Sequence, residues 1–304
     1  MPNALLNASN RILPALVTPL TDSGELDERS LEHLIDHLYG VGMGGLYVTG
    51  STGEGIYLDP AIRRRVTEIV VAHSRGHGKV LVHVGAISAM QAFDLAKHAA
   101  AAGADGVSSI PPFVGGYSSA EVVDYYRRLC GISSVPVVGY YIPGLTGQAW
   151  SIERLCELLP IPNLGGFKYT HSDLYVLERF MSRMPPDSIL YFGDDEMLCW
   201  GLQMGAHGGI GTTYNFMPKL ILEIAKLTAE RRYAEAQQVQ RRANEVIEIL
   251  CSFPVLPATK QILVWQGHLA NPRCAPPRAL LTAEQQTALR KRLESTAIGE
   301  TLVR

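Results

Sequence analysis

Cysteine is scarce in this 304-residue sequence and shows no pairing pattern. Cys130, Cys156, Cys199, Cys251 and Cys274 are widely scattered, with no C-x-x-C spacing among them. An odd, dispersed set reads as reduced thiols in a cytoplasmic protein, not as a disulfide framework. An excess of charge of one sign is also missing: 27 basic against 29 acidic residues leave a formal net charge of −2. Without a basic excess, neither nucleic acid nor an anionic membrane is expected as a main partner. No run approaches the ~18 uninterrupted apolar residues of a membrane span. Residues 1–10 lack the charged start and apolar stretch of a signal peptide. A soluble, cytoplasmic protein is the expectation. The nine histidines form no H-E-x-x-H or paired spacing, so no metal site is expected. No G-x-S-x-G serine elbow occurs either. What is plentiful is apolar: 47% hydrophobic against 18% charged residues, enough for a large core and too much for disorder.

Along the chain, apolar runs alternate with helical periodicities to about residue 230. The expected strands cover 12–17, 45–49, 80–84, 106–110, 135–140, 164–168, 189–192 and 207–210. Between them lie amphipathic helices, such as the one from Asp27 with Leu31, Leu34, Ile35 and Leu38 on one face. Others begin at Pro60, suited to a first helical turn, and end at Gly103. Continuous apolar strands with a helix after each predict a closed parallel (β/α)8 barrel, a TIM barrel, over 1–230. An open doubly wound sheet is the alternative fold. Residues 231–304 read as a helical region packed on the barrel, with helices at about 256–267 and 282–296 after a first long one.

Barrel enzymes build their active sites at the carboxyl ends of the strands. Lysine is scarce, with seven in all, and only Lys168 closes an expected strand; Lys79 opens one and the rest fall in helical segments. An amine desolvated there, among Phe167, Tyr169 and other apolar neighbours, is easier to deprotonate and can attack a ketone as a nucleophile. A lysine merely snorkelling at a strand end has the same position in sequence. The second strand is followed by Gly50-Ser51-Thr52-Gly53-Glu54, whose hydroxyls and backbone N–H groups suit a carboxylate or an ordinary helix cap. Tyr140 ends the fifth strand, as a proton relay or as packing. Gly193-Asp194-Asp195-Glu196 ends the seventh, where helix-dipole compensation explains one or two of the carboxylates. The eighth ends in a Gly-rich run to Thr212 and Thr213 that permits close backbone approach to a ligand. An amine, a tyrosine, a Ser-Thr pair and a polar far end together suit Schiff-base chemistry on a 2-oxo acid.

These segments together resemble the pyruvate-dependent class I aldolases, the family containing N-acetylneuraminate lyase and dihydrodipicolinate synthase. The resemblance runs from Pro14 to the helical tail. It rests on Gly50-Ser-Thr-Gly-Glu54, Tyr140 before Ile142-Pro143, Gly166-Phe-Lys-Tyr-Thr170 and the Gly-rich eighth strand. It implies that Lys168 forms a Schiff base with pyruvate, needing no cofactor, that Tyr140 relays the proton, and that Ser51 and Thr52 hold the pyruvyl carboxylate. Leu145 stands where the synthase branch has an arginine for a second carboxylate, so the lyase branch is closer. In that branch Asp195, Glu196 and Thr212 would bind the polyhydroxy tail, Thr170 would lie beside the substrate, and the Gly193 carbonyl would accept a sugar hydroxyl. The implied reaction is reversible cleavage of N-acetylneuraminate to pyruvate and N-acetylmannosamine, by a homotetramer. The alternatives are a 2-keto-3-deoxy sugar-acid aldolase or dehydratase, a synthase-like condensation, and a non-catalytic 2-oxo acid binder. Tyr141, Asp194 and Leu256 depart from the family pattern, and the loop 112–117 lacks the paired aromatics that follow the proline in the family, leaving Tyr117 as the substitute for a tyrosine given to a neighbouring subunit.

Overall fold

A computed structural model describes residues 11–114 and 116–302; the signal-peptide expectation for residues 1–10 lies outside them. Eight short parallel strands form its centre: β1 (Ile12–Pro14), β2 (Gly45–Val48), β3 (Lys79–His83), β4 (Gly106–Ser109), β5 (Val137–Tyr141), β6 (Leu164–Tyr169), β7 (Ile189–Phe192) and β8 (Gly208–Gly211). Each pairs with its sequence neighbour, and β8 pairs with β1 in the register Ile12↔Gly209, Leu13↔Ile210. A parallel bridge between Ala15 and Tyr47, with Leu16 N donating to Tyr47 O at 2.8 Å, joins β1 to β2 and closes the ring. The barrel alternative therefore stands and the open sheet does not. β5 starts at Val137, later than the apolar run, because Pro136 has no N–H to give the ladder.

Around the strands run α1 (Glu28–Val41), α2 (Pro60–Ser74), α3 (Ala89–Ala102), α4 (Ser119–Ile132), α5 (Pro143–Thr146), α6 (Ile152–Cys156), α7 (Leu174–Met181), α8 (Leu198–Gln203) and α9 (Pro218–Ala229). Their starts follow local chemistry. Asp27 caps α1 by accepting from Ser30 N, Ser118 and Glu121 form a capping box on α4, and Asp173 caps α7. Gly42, at φ +105°, ends α1 in the left-handed conformation that glycine tolerates.

The strands are buried on both faces. Leu13, Tyr47, Leu81, Val138, Tyr140, Tyr191 and Ile210 fill the barrel interior. Alternate residues such as Val48, Val82, Val107, Phe167, Tyr169 and Phe192 pack outward against the helices. The tail forms α10 (Tyr233–Cys251), α11 (Val255–Trp265) and α12 (Ala283–Leu293). It is tied to the barrel by polar contacts as well as by its apolar face. Gln240 accepts from Cys199 N at 2.9 Å and donates to the Asp195 carbonyl at 3.0 Å. No single helix among the described residues is long and apolar enough to cross a membrane.

Candidate active site

Lys168 lies on β6 in register with Tyr140 on β5 and Tyr191 on β7. It is only 4% exposed. Its Nζ stands 4.3 Å from the ring centroid of Tyr140 and 4.6 Å from that of Tyr47. No hydrogen bond or ion pair holds this ammonium among the described residues. The expectation that Phe167 and Tyr169 desolvate it is wrong. Adjacent strand residues point to opposite faces, so both rings turn into the outer core. Tyr140 on the neighbouring strand and Tyr47 from across the barrel flank the amine instead.

Behind these rings sits a rigid polar layer. The Tyr47 hydroxyl donates to Ser108 Oγ at 3.3 Å, and burial pushes its pKa well above the usual tyrosine range. His83 on β3 is buried edge-on to Tyr140, with ring centroids 6.0 Å apart. Its Nε2 accepts from Ile110 N at 3.2 Å, which leaves Nδ1 to donate to Thr49 O at 3.2 Å. Burial, then the positive charge of Arg63, lowers its pKa to about 3, so the ring stays neutral. Arg63 is itself buried and bonds the carbonyls of His83 (2.8 Å) and Gly85 (3.1 Å). Neither Tyr47 nor His83 was marked as a site residue by the sequence. Their only signal is an inward parity on strands whose two faces are equally apolar.

The loop after β2 is tightly bent. Thr49 and Glu54 hold positive φ of 53° and 57°, and a Cβ on Gly55 would lie 1.9 Å from Thr49 O, so glycine is needed there. Thr52 is buried, and its Oγ1 is 2.7 Å from Thr212 Oγ1 at the end of β8. Ser51 is half-buried beside it. Thr52 and Thr212, assigned to opposite ends of a substrate by resemblance, thus touch each other. Glu54 turns away from the barrel mouth, toward the tail.

The far side is built from β6, β7 and β8. A Cβ on Gly193 would lie 1.9 Å from Thr170 Oγ1 and 3.1 Å from Lys168 Cε. Glycine there lets the ends of β6 and β7 close over the lysine stem. Thr170 Oγ1 is buried with no hydrogen-bond partner of its own. Asp195 is buried, and its Oδ2 accepts from Thr213 N (2.8 Å) and Thr213 Oγ1 (2.7 Å). Burial raises its pKa to about 6 against the lowering effect of those two bonds. Glu196 is exposed at the rim. Asp194 is half-buried, and burial together with Glu196 and Asp195 lifts its pKa to about 7, with Lys168 opposing. The three carboxylates open a 3₁₀ turn, Asp195–Met197, ahead of α8 and not an α-helix directly.

Of the departures from the family pattern, Tyr141 faces outward; its hydroxyl accepts from Trp150 N at 3.2 Å. Tyr117 packs half-buried against its own barrel core. Leu145 is 38% exposed on α5, and Leu256 is half-buried. Among the described residues no three His, Cys, Asp or Glu side chains are placed to hold a metal ion.

A closed (β/α)8 barrel that gathers a buried lysine, tyrosine rings, hydroxyls and carboxylates at the carboxyl ends of its strands has the architecture of barrel enzymes that act on small molecules at that face. The relatives agree. Residues 8–296 match the model of the dihydrodipicolinate synthetase family. N-acetylneuraminate lyase of Rhizobium meliloti (strain 1021) is 37% identical over 273 residues, covering 90% of this chain and 91% of that one. Among solved structures, CdNal from Clostridium difficile, in complex with mannosamine, superposes with a TM-score of 0.89 at 29% identity, covering 94% of this chain and 98% of that one. YagE, an E. coli K12 prophage protein of the dihydrodipicolinic acid synthase family in complex with pyruvate, gives 0.88 at 26% identity over 93% and 97%. The chain belongs to the dihydrodipicolinate synthetase family, and like its lyase relatives it is an enzyme.

Proposed function

We propose that this enzyme is a Schiff-base aldolase that reversibly cleaves N-acetylneuraminate to pyruvate and N-acetylmannosamine. The observation that carries the reading is Lys168, buried against Tyr47 and Tyr140 and, among the described residues, held by no hydrogen bond or direct ion pair. A lysine nitrogen held there, tied to no oxygen, is free to meet a carbonyl carbon in the barrel mouth. Lys168 Nζ attacks the C2 ketone, and loss of water gives an iminium. The C3–C4 bond then breaks, its electrons flow into an enamine, and the C4 hydroxyl becomes the aldehyde as Tyr140 takes its proton. Protonation at C3 and hydrolysis release pyruvate and the amine. Every electron in this cycle is handled by the covalent adduct, so the proposal includes no cofactor.

Ser51 and Thr52 hold the pyruvyl carboxylate, supplying orientation. Thr170, whose Oγ1 has no other partner, and the carbonyl of Gly193 face the C4 region. Glu196, Thr212 and the Oδ1 of Asp195 hold the hydroxyls of the tail, since Asp195 Oδ2 is committed to Thr213. We further propose a homotetramer in the cytoplasm. Ile87 and Met90, each 67% exposed, and Val114, 56% exposed, are large apolar side chains that burial against a second copy would cover. In this reading 1–230 forms the barrel domain and 231–304 its helical extension.

Asp194 and Leu256 favour a second reading, a 2-keto-3-deoxy sugar-acid aldolase or dehydratase with the same lysine. The deciding experiment is product analysis across a panel of sugar acids, with borohydride trapping of pyruvate run alongside. Release of pyruvate and N-acetylmannosamine from N-acetylneuraminate in clear preference supports the first reading. Trapping of pyruvate with preferred turnover of another sugar acid transfers it to the second.

A further inference from the structure

Glu54 ends the Ser51–Thr52 loop, yet its carboxylate takes no part in the barrel mouth. It is fully buried and pairs with Lys260 of α11, whose side chain is also fully buried, at 2.6 Å. The Lys260 ammonium also donates hydrogen bonds to Thr18 O at 2.7 Å and Arg273 O at 2.6 Å, so it bridges the loop's carboxylate, the segment after β1 and the tail. The second oxygen of Glu54 accepts from Ala275 N at 2.9 Å, with Arg278 Nε 3.9 Å away. Thr18, whose carbonyl the lysine holds, sends its own Oγ1 to Gly53 O at 2.8 Å. Glu54 N and Gly55 N meanwhile donate to Ser51 O and Gly50 O, both at 3.1 Å. The node thus grips the loop on both sides of Thr52, and Glu54 sits at φ +57°, a conformation a non-glycine residue keeps only when its surroundings enforce it.

We infer that Lys260 and Glu54 are positioning residues: the helical tail, through one fully buried ion pair, sets the geometry of the loop that receives the substrate carboxylate. Neither touches substrate. The inference deepens the Schiff-base reading and rests on its assignment of Ser51 and Thr52. A buried pair that served only to hold the fold together would affect stability and leave the affinity for a small 2-oxo acid unchanged in the folded protein.

The test uses borohydride trapping of pyruvate, which does not depend on which sugar acid is cleaved. For Glu54→Gln, which keeps shape and an acceptor but removes the charge, half-saturating pyruvate is expected to rise about tenfold. Maximal trapping at saturation should stay within about twofold, with the circular dichroism spectrum unchanged. Lys260→Met, which leaves Glu54 buried and unpaired, should raise half-saturation further. If Lys260→Met does not fold, Glu54→Gln alone decides. Wild-type half-saturation in Glu54→Gln, a fall in maximal trapping without a rise in half-saturation, or failure of that variant to fold would each overturn the inference. Absence of trapping in the wild-type protein would instead defeat the Schiff-base reading itself.

Discussion

Among the described residues two lysines are buried, Lys168 and Lys260, and their surroundings are opposite. Lys260 meets three oxygen acceptors, one of them a carboxylate. Lys168 meets two aromatic faces and no acceptor. Burial of a charge is costly unless it is paired and hydrogen-bonded. At Lys260 that cost is offset locally, and the ammonium becomes a fixed strut. At Lys168 no oxygen ties the nitrogen down, and in the proposed reaction it stays available to the substrate carbonyl. The same residue type serves structure in one place and chemistry in the other, and the number of oxygens within reach separates the two.

The strongest way to break this comparison is Lys168→Arg. Guanidinium keeps the charge but stays protonated at any working pH. Loss of both turnover and borohydride trapping is expected, with the fold retained. Activity near that of the wild type would mean that the two lysines do not differ in the way described. Tyr140→Phe sharpens the contrast by leaving the ring face in place and removing only the hydroxyl. Trapping should survive while turnover falls about 10²–10⁴-fold, the usual contribution of a positioned acid–base group. Unchanged turnover would place proton transfer on another residue.

Asp195 and Glu196 separate structure from specificity on a smaller scale. Asp195→Ala strips the acceptor from Thr213 N and Oγ1, so a stability loss of about 1–3 kcal/mol in denaturant titration should accompany weaker sugar-acid turnover. Glu196→Ala removes an exposed side chain and should leave stability alone while raising the sugar-acid KM about tenfold, equivalent to ~1.4 kcal/mol. In both variants pyruvate trapping should persist. If Glu196→Ala cleaves the sugar acid normally, that carboxylate is only a rim charge.

How far the site was legible in sequence follows from which contacts are local. Lys168 could be found because a lysine closing an apolar strand is visible in six residues, 164–169. The barrel could be found because each strand and helix carries its own pattern; α11 and α12 were placed to within three residues of their observed ends. Facing was hidden. In a strand buried on both sides, inward Tyr47 and outward Val48 are both large, buried side chains, so no polar–apolar alternation separates them. That is why Phe167 and Tyr169 were mistaken for the lysine's neighbours while Tyr47 and His83 went unmarked. The Glu54–Lys260 pair was invisible for another reason: it joins the second strand's loop to the tail, and only the closed barrel brings them together.

The smallest expected effect concerns Asp194, the half-buried first member of the carboxylate cluster after β7. Burial and its two acidic neighbours hold its pKa at about 7, so it changes charge near neutral pH. A substrate carboxylate is ionised throughout this range. Above pH 7 a charged Asp194 opposes its entry, and below pH 7 the neutral acid does not. Two unit charges several ångströms apart in a water-like dielectric interact by ~0.5 kcal/mol, so half-saturating pyruvate should rise about two- to threefold between pH 6 and 8. Asp194→Asn should flatten that rise. Stability moves the same way: between its ordinary value of 3.8 and about 7 the folded state holds the proton more tightly than the unfolded chain, so stability falls as pH rises through that window. Asp194→Asn should therefore gain melting temperature over the wild type at pH 8 and little at pH 4. An equal pH slope in both proteins, for binding and for melting, would show that Asp194 is not the group titrating at the barrel mouth.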